Sequence, residues 1–326
     1  MFLFLYMIIE YIAKSYTKSK IILRVVMLWR KGSMNVIEIN HITKDYGQNK
    51  GVFDLDFKIE EGEVVGFLGP NGSGKTTTIR QLMGFIQPDK GSMSILGMDC
   101  FQDAPAIQEK VGYLPGEIAF MEDMTGIEFI RFIGELKGIK DFKKAQELID
   151  FLELDPHGKI KRMSKGMKQK IALVVAFMQD TPILILDEPT SGLDPLMQLN
   201  FQELIQQAKK DKKTILMSSH IFEEIENLCD RVVFIRQGCI VSIEDMQHLK
   251  NSRFKYYDIV FHNHKDAKDF CQNHLEASLH DLRVSLSVQG QADQLIKELS
   301  KYTIDDLNIR RQSLEEIFLQ YYGGNK

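Results

Sequence analysis

The sequence predicts an α/β core built around a glycine-rich loop, interrupted by a helical subdomain and followed by a small α+β domain. Three observations carry that prediction. A run of alternating character over 61–68 leads into Gly69-Pro70-Asn71-Gly72-Ser73-Gly74-Lys75-Thr76-Thr77 and then into 78–83. That is the strand, glycine-rich turn and helix that a phosphate-binding P-loop requires. Four consecutive apolar residues, Ile183 to Leu186, precede Asp187 and Glu188, which reads as a parallel strand buried on both faces and ending at the carboxyl edge of its sheet. Between these two features, over about 115–178, apolar residues recur at three-to-four spacing, so helices are inserted into the α/β frame.

Taken in order, Val36, Ile37 and Ile39 frame a first strand, and 52–59 a second with Phe53, Leu55 and Phe57 on one face. Tyr46 lies in the connection between them. After the P-loop strand and helix, a turn at 87–91 precedes a short strand over 93–96. Helices are expected over 127–137, 142–152 and 166–178, with Pro156 as punctuation. Beyond the strand at 183–188 come a helix over 196–210 and a strand over 214–218 running directly into Ser219-His220. A helix over 221–228 and a strand over 232–235, the last clear one of the core, complete the first domain.

The core domain is therefore placed at 35–240 and a small two-layer α+β domain at 251–322. In the latter, Tyr257, Ile259 and Phe261 alternate, as do Leu282, Val284, Leu286 and Val288, and helices fit 265–274, 292–299 and 314–321. The last four residues, 323–326, read as a fraying tail. Residues 1–34 are atypical: a nearly apolar run interrupted by Glu10 is followed by a basic stretch, the reverse of a secretory signal. Translation starting at Met34 is the preferred expectation, with a loosely membrane-associated or disordered arm and a docking element as the alternatives.

With 326 residues, a formal charge of −4, 44% hydrophobic and 26% charged residues, the composition is that of an ordinary globular protein and argues against broad affinity for nucleic acid. Cys100, Cys229, Cys239 and Cys271 show no close paired spacing and read as free thiols. No stretch approaches the roughly 18–20 apolar residues of a membrane span, so any membrane passage belongs to another chain.

The chemistry follows from residue types at strand ends. The loop glycines allow backbone N–H groups to converge on a phosphate chain, and the helix that follows adds its free N–H groups and dipole. Lys75 is placed to reach β- and γ-phosphates and Thr76 to hold a bridging Mg²⁺. A carboxylate such as Asp187 at the end of a buried strand needs a partner, and the same Mg²⁺ supplies one. Glu188 would then polarise a water for in-line attack, and His220, beyond another strand of the same sheet, reaches the same edge.

Over 36–322 this set of motifs, in this order, resembles the ATP-binding subunits of ATP-binding-cassette (ABC) transporters, in particular the bacterial multidrug or ABC-2-type exporter ATPases. The resemblance implies the ABC-type fold with ATP and Mg²⁺ as ligands. It also implies adenine stacking on Tyr46, Glu188 as catalytic carboxylate, His220 as switch histidine, and Asp194 in the Ser191–Asp194 loop joining two active sites. The family signature Leu-Ser-Gly-Gly-Gln appears as Met163-Ser164-Lys165-Gly166-Met167, so Ser164 and Gly166 are expected to meet ATP held by a second ATP-binding subunit, a second copy of this chain. Gly116 stands where the family carries Gln, with Glu117 next to it. Residues 313–318 resemble the end of exporter ATPases whose permease is a separate chain. The resemblance thus implies a peripheral protein on the cytoplasmic face of the cell membrane, bound to an integral-membrane permease and with no nucleic-acid partner. A non-transport relative acting on ribosomes or DNA, and a regulatory nucleotide-binding module, are the competing expectations.

Overall fold

The computed structural model describes residues 35–274, 276–289 and 293–323, without the side chains of 320–323. The 1–34 extension and residues 324–326 of the expected tail lie outside the described residues. The chain begins with an antiparallel pair, β1 (Asn35–Asp45) and β2 (Gly51–Glu60), and then enters the core with β3 (Val64–Leu68) and helix α1 (Lys75–Leu82). Strands β4 (Lys90–Ile95) and β5 (Met98–Asp99) return to the first sheet, whose order is β2-β1-β4-β5. The expected face of β2 is corrected by the structure. Val52, Leu55, Phe57 and Ile59 are buried and Phe53 is only half-buried. Asp54 takes a left-handed conformation (φ 53°) where the pairing with β1 slips, and the bulge shifts the alternation by one residue.

Helix α2 (Ala104–Gln108) and strand β6 (Val111–Leu114) lead into the helical block: α3 (Gly126–Leu136), α4 (Lys143–Phe151), a 3₁₀ turn over Ile160–Arg162, and α5 (Lys165–Phe177). Thr125 and Glu128 form a reciprocal capping box that starts α3. Then come β7 (Ile183–Asp187), α6 (Pro195–Lys210), β8 (Thr214–Ser219), α7 (Phe222–Leu228), β9 (Arg231–Arg236), β10 (Cys239–Asp245) and α8 (Met246–Ser252). The core sheet runs β10-β9-β3-β8-β7-β6, parallel except for the antiparallel edge strand β10. All five residues of both β3 and β7 are buried, as strands covered on two faces require. Register then does the placing: Leu68 pairs with Ser219, and Ser218 with Asp187, so β3, β8 and β7 end at one edge.

The remaining segment forms an antiparallel sheet, β12-β13-β11-β14, from β11 (Phe254–Phe261), β12 (Ser278–His280), β13 (Arg283–Gln289) and β14 (Ile304–Arg311), with helices α9 (His264–Asn273) and α10 (Asp293–Leu299). Tyr257, Ile259, Phe261, Phe270 and Val284 form its core. Strand β14, sequence IDDLNIRR, is exposed over nearly its whole length, so its pattern carries no alternation to read. The last helix, α11 (Leu314–Gly323), does not join this core. Leu314, Ile317 and Phe318 pack with the core of the first domain, where Phe318 stacks on Phe234 (5.2 Å between ring centroids) and meets Phe222 (5.3 Å).

Phe318→Ala should therefore destabilise the first domain, not the small sheet, by about 3 kcal/mol, the usual cost of emptying a buried Phe site. Urea unfolding followed by circular dichroism, with and without a nucleotide analogue, measures it.

Candidate active site

The P-loop starts where β3 ends. Gly69 is confined there: a Cβ would lie 2.2 Å from the Ile235 carbonyl oxygen. Its N–H donates to the Ser219 carbonyl at 3.3 Å, which ties the loop to the end of β8. Gly74, the residue before α1, has φ 112°, a conformation open to glycine but strained for other residues. This geometry turns the first residue of α1, Lys75, inward. Its side chain is only 5% exposed, and Nζ donates to the Gly69 and Pro70 carbonyls at 2.7 and 3.3 Å and lies 3.2 Å from Glu188 Oε1.

Glu188 follows β7 directly and is itself left-handed (φ 51°). Its N–H donates to the Ser218 carbonyl (3.2 Å) and Oγ (3.1 Å). The other carboxylate oxygen, Oε2, lies 2.6 Å from His220 Nδ1. Lys75, Glu188 and His220, three residues singled out separately in the sequence, thus form one continuous polar chain. With Glu188 ionised, Nδ1 carries the proton and Nε2 is left for a further partner.

Asp187 is fully buried. Oδ1 accepts from Ser218 Oγ, whereas Oδ2 has no partner. An unpaired buried carboxylate oxygen is costly, and beside the P-loop its chemistry suits a hard cation. Position 116 bears on the same atom: a Cβ on Gly116 would come within 2.9 Å of Asp187 Oδ2. Glycine therefore places no side chain against that oxygen, and the neighbouring Glu117 is exposed.

Tyr46, 54% exposed, stands with Asn71, Gly72, Thr76, Thr77 and Gln237 around a cavity of about 500 Å³ that Lys75 and Glu188 also line. The Lys44 ammonium lies 6.0 Å from the Tyr46 ring centroid. Ser73 Oγ is buried and unpartnered in the same loop. A larger groove of about 720 Å³ between α4 and α6 holds none of these groups. Ser164 and Gly166 do not line the P-loop cavity. Ser164 caps α5, its Oγ accepting from Met167 N–H at 3.2 Å, and Asp194 caps α6 in the same way at 3.0 Å.

Two buried polar residues beside this site carry no sequence motif. Glu224 on α7 is 5% exposed; Ser219 Oγ donates to it at 2.6 Å, and Thr190 also hydrogen-bonds to it. Burial pushes its carboxyl from 4.5 up to about 7 against those two hydrogen bonds. Gln169 on α5 donates through Nε2 to the Pro189 carbonyl at 2.7 Å. Gln169 stands between Lys168 and Lys170, and Glu224 directly after Glu223, so the local sequence reads as a solvated face and gives no signal of burial.

A parallel sheet with a P-loop at one strand end and two acids and a histidine at its neighbours defines a P-loop ATPase, and the inserted helices narrow the class to the ABC type. The family model for ABC transporters matches residues 52–191. The bacitracin transport ATP-binding protein BcrA of Bacillus licheniformis is 33% identical over 301 residues, covering 89% of this chain and 98% of that protein. A solved ATP-binding subunit of an ABC transporter superposes with a TM-score of 0.61 at 28% identity, over 66% of this chain and 92% of that one. A dimeric ATP-binding cassette in a post-hydrolysis state, bound to ADP and phosphate, shares the fold (TM-score 0.59, 22% identity, 64% of this chain and 98% of that chain). The chain belongs to the ABC transporter ATP-binding family. It is an ATP-binding and hydrolysing subunit of an ABC transporter system, and no described helix is long and apolar enough to cross a membrane.

The Glu224 proton has a stability consequence. The folded chain keeps this proton at pH values where the unfolded chain has released it, so its contribution is fully present below pH 4.5 and is lost as pH rises to about 7. Glu224→Gln should remove that slope: the unfolding free energy of the native chain should fall by roughly 3 kcal/mol relative to the variant across this window. Urea titrations at a series of pH values check it.

Proposed function

We infer that this chain is the motor subunit of an exporter. Two copies close head-to-tail over two ATP molecules on the cytoplasmic face of the cell membrane and drive a separate integral-membrane permease. The observation that carries the catalytic part is the single carboxylate of Glu188 held between Lys75 Nζ and His220 Nδ1 at the edge of the P-loop cavity. The exporter part is supported by the transport role in the name of the relative that matches along nearly its whole length, and the paired arrangement by the dimeric cassette of this fold.

In this reading adenine stacks on the exposed ring of Tyr46, and the triphosphate lies in the loop that runs from Gly69 and Pro70 through Ser73, facing the backbone N–H groups of Asn71, Gly72, Gly74, Lys75, Thr76 and Thr77. Lys75 exchanges the Gly69 and Pro70 carbonyls for phosphate oxygens, so a cation already withdrawn from water meets an anion with little reorganisation. Glu188 Oε2 takes the proton of the attacking water. His220, whose Nδ1–H orients that carboxylate, has Nε2 left to accept a hydrogen bond from the other hydrogen of that water and so position it. Asp187 Oδ2 and Thr76 would hold Mg²⁺, which neutralises charge on the β- and γ-phosphate oxygens. Ser164 Oγ, accepting from its own helix, keeps its O–H free to donate to ATP on the second copy, next to the first N–H groups of α5 around Gly166.

Glu188→Gln keeps the shape of the site and removes its proton acceptor. ATP turnover should fall by about a hundredfold or more while ATP binding persists, and ATP should shift the variant from monomer to dimer in size-exclusion chromatography. Native-like turnover would refute the base assignment, and a variant that stays monomeric in saturating ATP would refute the head-to-tail pair.

A further inference from the structure

A left-handed backbone is unfavourable for a residue with a side chain as large as Glu188 and persists only where the surroundings impose it. The imposition on the amino side is visible in the two hydrogen bonds from Glu188 N–H to Ser218. On the carboxyl side it comes from another element. Gln169 Nε2, on α5, donates to the Pro189 carbonyl at 2.7 Å and lies 3.4 Å from that of Glu188. Its side chain is 5% exposed and sits four positions after Lys165, which opens α5.

Two further contacts bind the start of α5 to the segment after Glu188. Lys165 Nζ donates to Ser191 Oγ at 2.7 Å. The backbones meet at Gly166, where a Cβ would fall 2.7 Å from the Gly192 carbonyl oxygen. Lys165, which departs from the family signature, thus has a partner within its own chain. Because α5 is continuous from Lys165 to Phe177, a shift of its first turn is delivered to residues 188–192 as a rigid displacement.

We propose that Gln169 is a positioning residue for ATP hydrolysis. It holds the left-handed turn at Glu188-Pro189 so that the carboxylate stays between Lys75 and His220, and it carries the position of the first turn of α5 to that carboxylate. The second half rests on the reading above, in which that turn meets the ATP of the second copy. Each chain then senses the nucleotide of its partner at its own catalytic carboxylate.

Gln169→Met keeps length and volume and removes both N–H donors. In the purified full chain it should lower kcat for ATP about tenfold, as loss of a hydrogen bond to a buried carbonyl implies. KM, and ATP-driven dimerisation in a Glu188→Gln background, should stay within about twofold, and Gln169→Met added to Glu188→Gln should slow turnover no further, because residues that act through one group are not additive. Gln169→Glu supplies a rescue. It should be as slow as Gln169→Met near pH 8 and recover relative to the native chain towards pH 6, since a buried carboxyl takes up a proton in this range and its O–H then donates to the Pro189 carbonyl. Unchanged kcat in Gln169→Met, losses that multiply with Glu188→Gln, or no recovery of Gln169→Glu at low pH would overturn the proposal. If Gln169→Met does not accumulate as folded protein, the pH response of Gln169→Glu decides alone. Native turnover in Glu188→Gln by itself would instead show that the base assignment has failed, and the proposal falls with it.

Discussion

The pairing of one buried ammonium sets the terms for the rest of this molecule. Lys75 is taken out of water by the turn at Gly74, and burying a cation there is costly unless oxygen atoms match it. Two of the matching atoms are carbonyls of its own loop; the third is a carboxylate delivered by a strand far away in sequence. That delivery depends on register. Because β3, β8 and β7 are parallel and their ends pair residue for residue, Gly69, Ser219 and Glu188 leave the sheet at one edge. A slip of one residue in β7 would send Asp187 or Pro189 to the place of Glu188 and break the contact of its carboxylate with the ammonium.

Around that pairing the structure tolerates features that a fold optimised for stability alone would avoid. Glu188 is left-handed, Asp187 carries an unpaired buried oxygen, and Glu224 is buried near His220. Such local conflicts cluster at working sites, where surrounding structure over-determines them. Here the over-determination has named sources: Ser218 before Glu188, Gln169 after it, and Ser219 and Thr190 on Glu224. The absence of a side chain at Gly116 belongs with them, since a Cβ there would crowd the unpaired Asp187 Oδ2.

The small domain is tied to the ATPase core by more than a linker. Its sheet has its own aromatic core, but the chain then runs back and inserts Leu314, Ile317 and Phe318 against α7 and β9. Helix α7 begins two residues after His220. The last described helix therefore packs on the element that follows His220.

Much of this was legible locally. The P-loop, the two-faced strand before Asp187 and Glu188, the helical insertion and the alternation in β11 and β13 are written in spacing, because backbone sterics and burial of one or two faces act within a few residues. Edge elements were less so: β10 and β14 are mostly solvated, so nothing selects an apolar pattern, and the phase of β2 turned on a bulge at Asp54 that no residue type announces. The candidate residues Lys75, Glu188 and His220 could be named from the sequence, but their contact could not. Nor could the grip of Gln169 on Pro189, the burial of Glu224, or the return of Phe318 to the first domain. Each of these joins segments distant in the chain, and only the packing of the sheet and its helices decides which distant groups share a place.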